Sequence, residues 1–156
     1  MLVVTGASAG VGRAIAVCFG ARGWRVALIA RGQQGLESAK REIEAAGGQA
    51  LVIRADVGDA EAMFRAAEKI EAEFGPIDVW VNSAMVTIYA SVADISPDEF
   101  HQVTQVTYLG QVHGTLAALK HMRTRNQGLI VFVGSALAYR SIPFQAPYCA
   151  AKAAIR

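Results

Sequence analysis

The chain has 156 residues, 53% of them hydrophobic, with a formal net charge of +2. That suits one domain with a sizeable buried core, argues against a nucleic-acid surface, and leaves no apolar run near the roughly 20 residues of a membrane span. Cys18 and Cys149 lie far apart and share no CxxC or Cys/His spacing, so no metal site is expected, and the plain reading is free thiols in a reducing cytoplasm. The chain enters a Gly-rich loop within a few residues of Met1, which does not read as a signal peptide.

Residues 2–4 read as a short strand buried on both faces. Thr5-Gly6-Ala7-Ser8-Ala9-Gly10-Val11-Gly12 follows, a TGxxxGxG pattern, and then an apolar helix over residues 10–21. Such glycines let a backbone turn tightly and approach a pyrophosphate, and the helix start behind them offers free N–H groups and a positive dipole end. Gly6, Ser8, Gly10, Val11 and Gly12 are therefore candidate cofactor contacts. A strand-to-helix turn without ligand is the plainer alternative.

The second strand lies within residues 25–30. An NAD site usually places an acid about 20 residues beyond the glycines, to hold the ribose 2′-hydroxyl. Here the strand ends in Ala30-Arg31. A carboxylate would repel a 2′-phosphate, whereas an arginine fork pairs with one. The expectation is NADP(H) in preference to NAD(H), against Arg31 as a solvated loop charge. Residues 33–46 read as a helix with Leu36, Ala39, Ile43 and Ala46 inward. Glu37/Arg41 and Lys40/Glu44 can pair on its outer face, and Gly47-Gly48 ends it.

A third strand, residues 50–53, runs into Asp56-Val57, where a bound adenine could be lined; a turn carboxylate explains Asp56 equally well. Residues 59–74 form an amphipathic helix with Met63, Ala67, Ile70 and Phe74 inward, broken by Gly75-Pro76. Residues 77–81 are the fourth strand, followed by Asn82-Ser83-Ala84-Met85. Ser96-Pro97-Asp98-Glu99 is a capping box that opens one long helix to about residue 123. The basic cluster Lys120, His121, Arg123 and Arg125 at its end reads as a response to the helix dipole. His101, His113 and His121 have no metal-like spacing. Residues 129–133 are the fifth strand.

Beyond it lie Ser135 and then Tyr148 and Lys152, four residues apart. On a helix that spacing puts Tyr148 and Lys152 on one face, one turn apart. A lysine ammonium beside a phenol favours the phenolate, and a tyrosine so tuned can exchange a proton with an alcohol or carbonyl. Strand alternating with helix five times predicts an α/β, doubly wound parallel sheet with right-handed crossovers.

The glycine loop, Asp56-Val57, the Asn82 segment, Ser135 and Tyr148-x-x-x-Lys152, in this order, resemble the short-chain dehydrogenase/reductase family over essentially the whole chain. The resemblance implies a single Rossmann-type domain over residues 1–156 and hydride transfer between NADP(H) and a small-molecule alcohol or ketone. It implies that Ser135 orients the substrate oxygen, Tyr148 is the acid/base, and Lys152 tunes the phenol and binds the nicotinamide ribose. It adds Asn82, Ser83 and Ala84 to the cofactor contacts, and a homo-oligomer as the assembly. Three departures stand out. The family often reads NNAG where this chain has Asn82-Ser83-Ala84-Met85. Thr107 stands where the family commonly has an asparagine that supports a relay water. Family members continue for two more strands and a substrate-covering loop, so this domain is expected to be incomplete at its C-terminus, with the fifth strand at a sheet edge. A non-catalytic NAD(P)-binding module, or an inactive fragment of a longer reductase, is the alternative.

Overall fold

The computed structural model describes residues 1–156. Five strands form one parallel sheet: β1 (Leu2–Thr5), β2 (Arg25–Ala30), β3 (Gln49–Arg54), β4 (Val79–Asn82) and β5 (Leu129–Phe132). Their order is β3-β2-β1-β4-β5. β1 is central, paired with β2 from Leu2↔Val26 to Thr5↔Ile29 and with β4 from Leu2↔Val79 to Val4↔Val81. β5 pairs only with β4 and forms an edge. The fourth strand thus starts two residues later than the sequence predicts and takes in Asn82. Met1 accounts for the shift: its carbonyl receives the N–H groups of Asp78 and Val79, and its amino group pairs with the Asp78 carboxylate.

Helices cover both faces. α1 (Gly10–Gly20) and α2 (Gln33–Ala45) lie on one; α3 (Ala60–Phe74) and α5 (Gly110–Arg125) lie on the other. The pleat divides the strands between two cores. Leu2, Val4, Val26 and Leu28 meet Ala16, Leu36 and Ile43. Val3, Ala27, Ile29 and Trp80 meet Met63, Ile70, Ala117 and Met122. Each fully buried Leu, Ile or Met side chain contributes about 1.5–3 kcal/mol. Central strands buried on both faces need apolar residues at successive positions, which is why β1 and β2 read as continuous runs.

Helix ends follow the sequence closely. Asp59 caps α3 by accepting the Ala62 N–H at 3.0 Å. Ser96 and Glu99 form the reciprocal capping box at the start of α4 (Pro97–Thr104). The Ser96 backbone and hydroxyl hydrogen bonds hold the Glu99 carboxyl below the usual carboxylate range. Ala46 lies outside α2 and is exposed, and Glu37 receives the Gln33 amide instead of pairing with Arg41; Lys40 and Glu44 do pair.

The predicted long helix is three pieces: α4, a π-helical turn over Gln105–Leu109, and α5. The wider turn lets the adjacent Val106 and Thr107 both face inward, and both are buried. Gln105 anchors it by donating to the Gly58 carbonyl at 2.6 Å. At the far end, Lys120 pairs with Glu68, and Arg125 forks onto Glu71 and the Ile77 carbonyl. Lys120 and Arg125 of the basic cluster therefore also staple α5 to α3.

α5 approaches β4 at Gly114. A Cβ there would lie 2.8 Å from Trp80 Nε1 and would also strike Asn82 Oδ1, two atoms that are bonded to each other at 3.0 Å. Gly114→Ala is expected to lower the unfolding free energy by about 1–3 kcal/mol, read by urea denaturation. An unchanged midpoint would mean that α5 can lift from the sheet without cost.

Candidate active site

The loops beyond the C-terminal ends of the strands enclose a crevice of about 770 Å³, within the ordinary range for ligand sites. One wall is the glycine loop: Gly6, Ser8, Gly10, Val11 and Gly12 all line it. Two glycines are required by close approach. Gly6 has φ +68°, and a Cβ there would lie 2.8 Å from Ala84 Cα; a Cβ on Gly12 would lie 2.5 Å from the Gly6 carbonyl oxygen. α1 begins behind the loop with Ala9 as an N-cap that offers no side-chain bond. Its first amides therefore remain available to an anion.

Arg31, Asp56 and Val57 line a second wall, and Ser83, Ala84, Tyr148 and Lys152 others. Arg31 Nη1 lies 3.7 Å from Asp56 Oδ2. Val57 is positioned through its carbonyl, which contacts His113 Nδ1 at 2.8 Å. The residues that the sequence reading missed include Met85 and Val86, beside the predicted Ser83-Ala84, and Val133 and Gly134, between β5 and Ser135. Their signal was proximity to strand ends alone.

α6 (Ala146–Ile155) carries Tyr148 and Lys152, with Pro147 in its first turn, where a missing N–H costs nothing. Lys152 is only 2% exposed. Its Nζ donates to the Val133 carbonyl at 2.7 Å and stands 5.6 Å from the Tyr148 ring centroid. Burial holds the ammonium below the usual lysine range. Cys149, between them, is buried and unpaired; Cys18 is free and exposed.

Three predicted residues do not themselves line the crevice: Asn82 and Thr107 are buried beside it, and Ser135 adjoins its rim at Gly134. Asn82 is fully buried: its Oδ1 accepts the Trp80 indole N–H, and its Nδ2 donates to Thr115 Oγ1 at 3.1 Å. Both ends of its amide are thus used inside the fold. Thr107 Oγ1 donates to the Val86 carbonyl at 2.8 Å and accepts the Val86 N–H at 3.0 Å, so it fixes a lining residue from behind. Ser135 sits one residue past Gly134, and its Oγ accepts the Leu137 N–H at 3.1 Å. Thr5 belonged to the glycine pattern without a role of its own, yet its Oγ1 receives the Ser83 and Ala84 N–H groups.

The loops after β4 and β5 are tied together over the entry to α6. Phe144 stacks on Tyr89 with centroids 6.0 Å apart. Its carbonyl accepts the Ala90 N–H at 3.0 Å, and Gln145 donates to Thr87. Phe144 has φ +67°, an outlier for a bulky side chain.

Fold and site together define a nucleotide-binding α/β domain with a tyrosine–lysine pair in its crevice. The short chain dehydrogenase family profile matches residues 1–156, and the chain belongs to that family. It is 33% identical over 156 residues to an uncharacterized oxidoreductase, YxnA, of Bacillus subtilis (strain 168), covering 99% of this chain and 44% of that protein. It is 33% identical to versicolorin reductase stcU of Emericella nidulans, covering 98% of this chain and 58% of that one. A crystal structure of a metagenomic short-chain oxidoreductase in complex with NADP superposes with a TM-score of 0.93 at 32% identity, covering 99% of this chain and 70% of that one. The chain thus spans about half the length of these curated relatives.

The depressed Lys152 pKa has a measurable sign. Between the folded value and the unfolded one, about 10.4 for lysine, the unfolded chain binds more protons than the native chain, so stability rises with pH across that window. Below it, the native state bears the cost of the buried ammonium in full. Lys152→Met is expected to lack this alkaline rise in urea-denaturation midpoints taken at stepped pH. Parallel profiles for the two proteins would show that Lys152 is solvated.

Proposed function

We propose that this chain forms the cofactor-binding and catalytic part of an NADP(H)-dependent oxidoreductase acting on a carbonyl or alcohol. The observation that carries this reading is the placement of Tyr148 and Lys152 in the same crevice as the glycine loop. The residues present fit the cofactor: glycines where a Cβ would collide, free amides at the start of α1, and Arg31 on the wall. When bound, NADP(H) supplies the hydride from its nicotinamide ring.

The chain's own groups do the rest. The start of α1 holds the pyrophosphate, and Arg31 pairs with the 2′-phosphate. Tyr148 Oη gives a proton to the substrate oxygen in reduction, or takes one in oxidation. Lys152 places a positive charge beside the phenol; its Nζ has one protein acceptor, Val133, which leaves two N–H groups for the cofactor ribose. Ser135 Oγ accepts from Leu137 and keeps its own hydrogen to donate to the substrate oxygen. A second reading, a nucleotide-binding module without turnover, is favoured by Thr107, whose hydroxyl is committed in both directions to Val86.

Tyr148→Phe separates the two. An enzyme loses about 100-fold or more of its turnover on a panel of ketones while NADPH affinity, followed by nucleotide fluorescence, stays the same. Wild-type protein that binds NADPH yet reduces nothing on the panel supports the module. Cofactor choice is tested apart from turnover. Arg31→Gln is expected to weaken NADPH several-fold, about the worth of one charge-assisted contact, and to leave NADH untouched. Equal weakening of both would remove Arg31 from 2′-phosphate recognition.

A further inference from the structure

We propose that Asp56 competes with the cofactor's 2′-phosphate for Arg31, and so sets how strongly the crevice discriminates NADPH from NADH. This rests on the NADP(H) reading above and adds a second residue, of opposite charge, to it. Arg31 and Asp56 stand just past the ends of the neighbouring strands β2 and β3, whose last registered pair is Ala30↔Arg54. The Ala55 N–H extends the ladder by donating to the Ala30 carbonyl at 3.1 Å. The two side chains meet at 3.7 Å on the crevice wall, with 59% of Arg31 and 41% of Asp56 exposed.

Both partners are held, which makes the competition specific. Asp56 Oδ1 accepts the Gly58 N–H at 2.9 Å, so Oδ2 is the oxygen presented to Arg31. Gly58 is itself fixed by the Gln105 amide on its carbonyl. The Arg31 carbonyl accepts Arg54 Nε at 3.2 Å. The Arg31 head has no other acceptor than Asp56. A 2′-phosphate seated on Arg31 must take the guanidinium from this carboxylate or share it, with two like charges then in proximity. A ribose 2′-hydroxyl meets neither cost. A carboxylate unfavourable to a 2′-phosphate thus stands just past β3, opposite the arginine just past β2.

The test is fluorescence titration of NADPH and of NADH into the wild type, Asp56→Asn, Arg31→Gln and the double variant. The quantity read is the ratio of the NADH to the NADPH dissociation constant, in which any contact of Asp56 with the rest of the nucleotide cancels. Asparagine keeps an acceptor for Gly58 and removes the charge. The ratio is expected to rise about two- to five-fold in Asp56→Asn, the span of an exposed ion pair, and the rise should shrink as salt is added. In the Arg31→Gln background, Asp56→Asn should raise the ratio clearly less than in the wild-type background, by the direct repulsion between carboxylate and phosphate alone. A ratio that stays level or falls in the single variant overturns the proposal, as does an equal rise in both backgrounds. A wild type that binds NADPH no tighter than NADH would end the NADP(H) reading, and the comparison of wild type with Asp56→Asn would still decide the competition.

Discussion

Thr5 Oγ1 receives the backbone N–H groups of Ser83 and Ala84 at 3.0 and 3.2 Å and lies 3.4 Å from the Val81 carbonyl. One buried hydroxyl thereby ties the end of β1 to the chain leaving β4. These two strands are neighbours in the sheet, but the segments after them depart to opposite faces. The crevice opens where they part, which is the general position of ligand sites in open α/β sheets. Gly6 must sit against Ala84 for this junction to close, and Gly12 must sit against Gly6 for α1 to start where it does. The glycine spacing follows from this chain of contacts, and the loop's other side faces the crevice.

The charges are arranged around the same junction. Lys152 is the one lysine or arginine side chain buried in the fold, and its single protein acceptor is the Val133 carbonyl, just past the end of the edge strand. α6 is thus joined to the sheet through an ammonium that the protein solvates poorly, and its remaining donors turn to the crevice. Arg31, by contrast, is exposed and already matched. On the function proposed above, a buried, under-solvated cation and an exposed, paired one would meet the two ends of a long anionic ligand in different ways. The first gains from any acceptor that arrives; the second has one to give up.

Most of the fold was legible because the pleat and the helix period act on every residue. Leu2 to Val4 and Val26 to Ile29 could only be strands buried on both faces, and the capping box and the Gly75-Pro76 break marked their helix ends without ambiguity. The π-turn was not legible. One residue of extra winding leaves no trace in an apolar pattern that is already wide, and it decides where Thr107 points. Asn82 entered as a cofactor contact through the family resemblance; that its side-chain amide bonds to the Trp80 indole and Thr115 inside the fold could not be read from the sequence. That the loop glycines, Arg31, Asp56, Tyr148 and Lys152 would share one crevice was legible, since each follows a strand or opens a helix. The ion pair between Arg31 and Asp56 required knowing that β2 and β3 are adjacent.

The Phe144 backbone gives the loop ahead of Tyr148 an unusual balance. A bulky residue in the left-handed region costs about 1–3 kcal/mol. The stack on Tyr89 returns about 0.5–1.5 kcal/mol, and the carbonyl bond to Ala90 about 0.5–1.5 kcal/mol more. These three terms nearly cancel, so the net hold of the clasp is on the order of its one remaining contact, the Gln145 bond to Thr87, about 0.5–1.5 kcal/mol. The helix carrying Tyr148 and Lys152 is therefore joined to the sheet through Lys152 and preceded by a loop whose latch has only a small bias of its own. The helix itself stays packed through Pro147, Tyr148, Cys149 and Ala151, all buried, so any release of the latch is confined to the loop ahead of it.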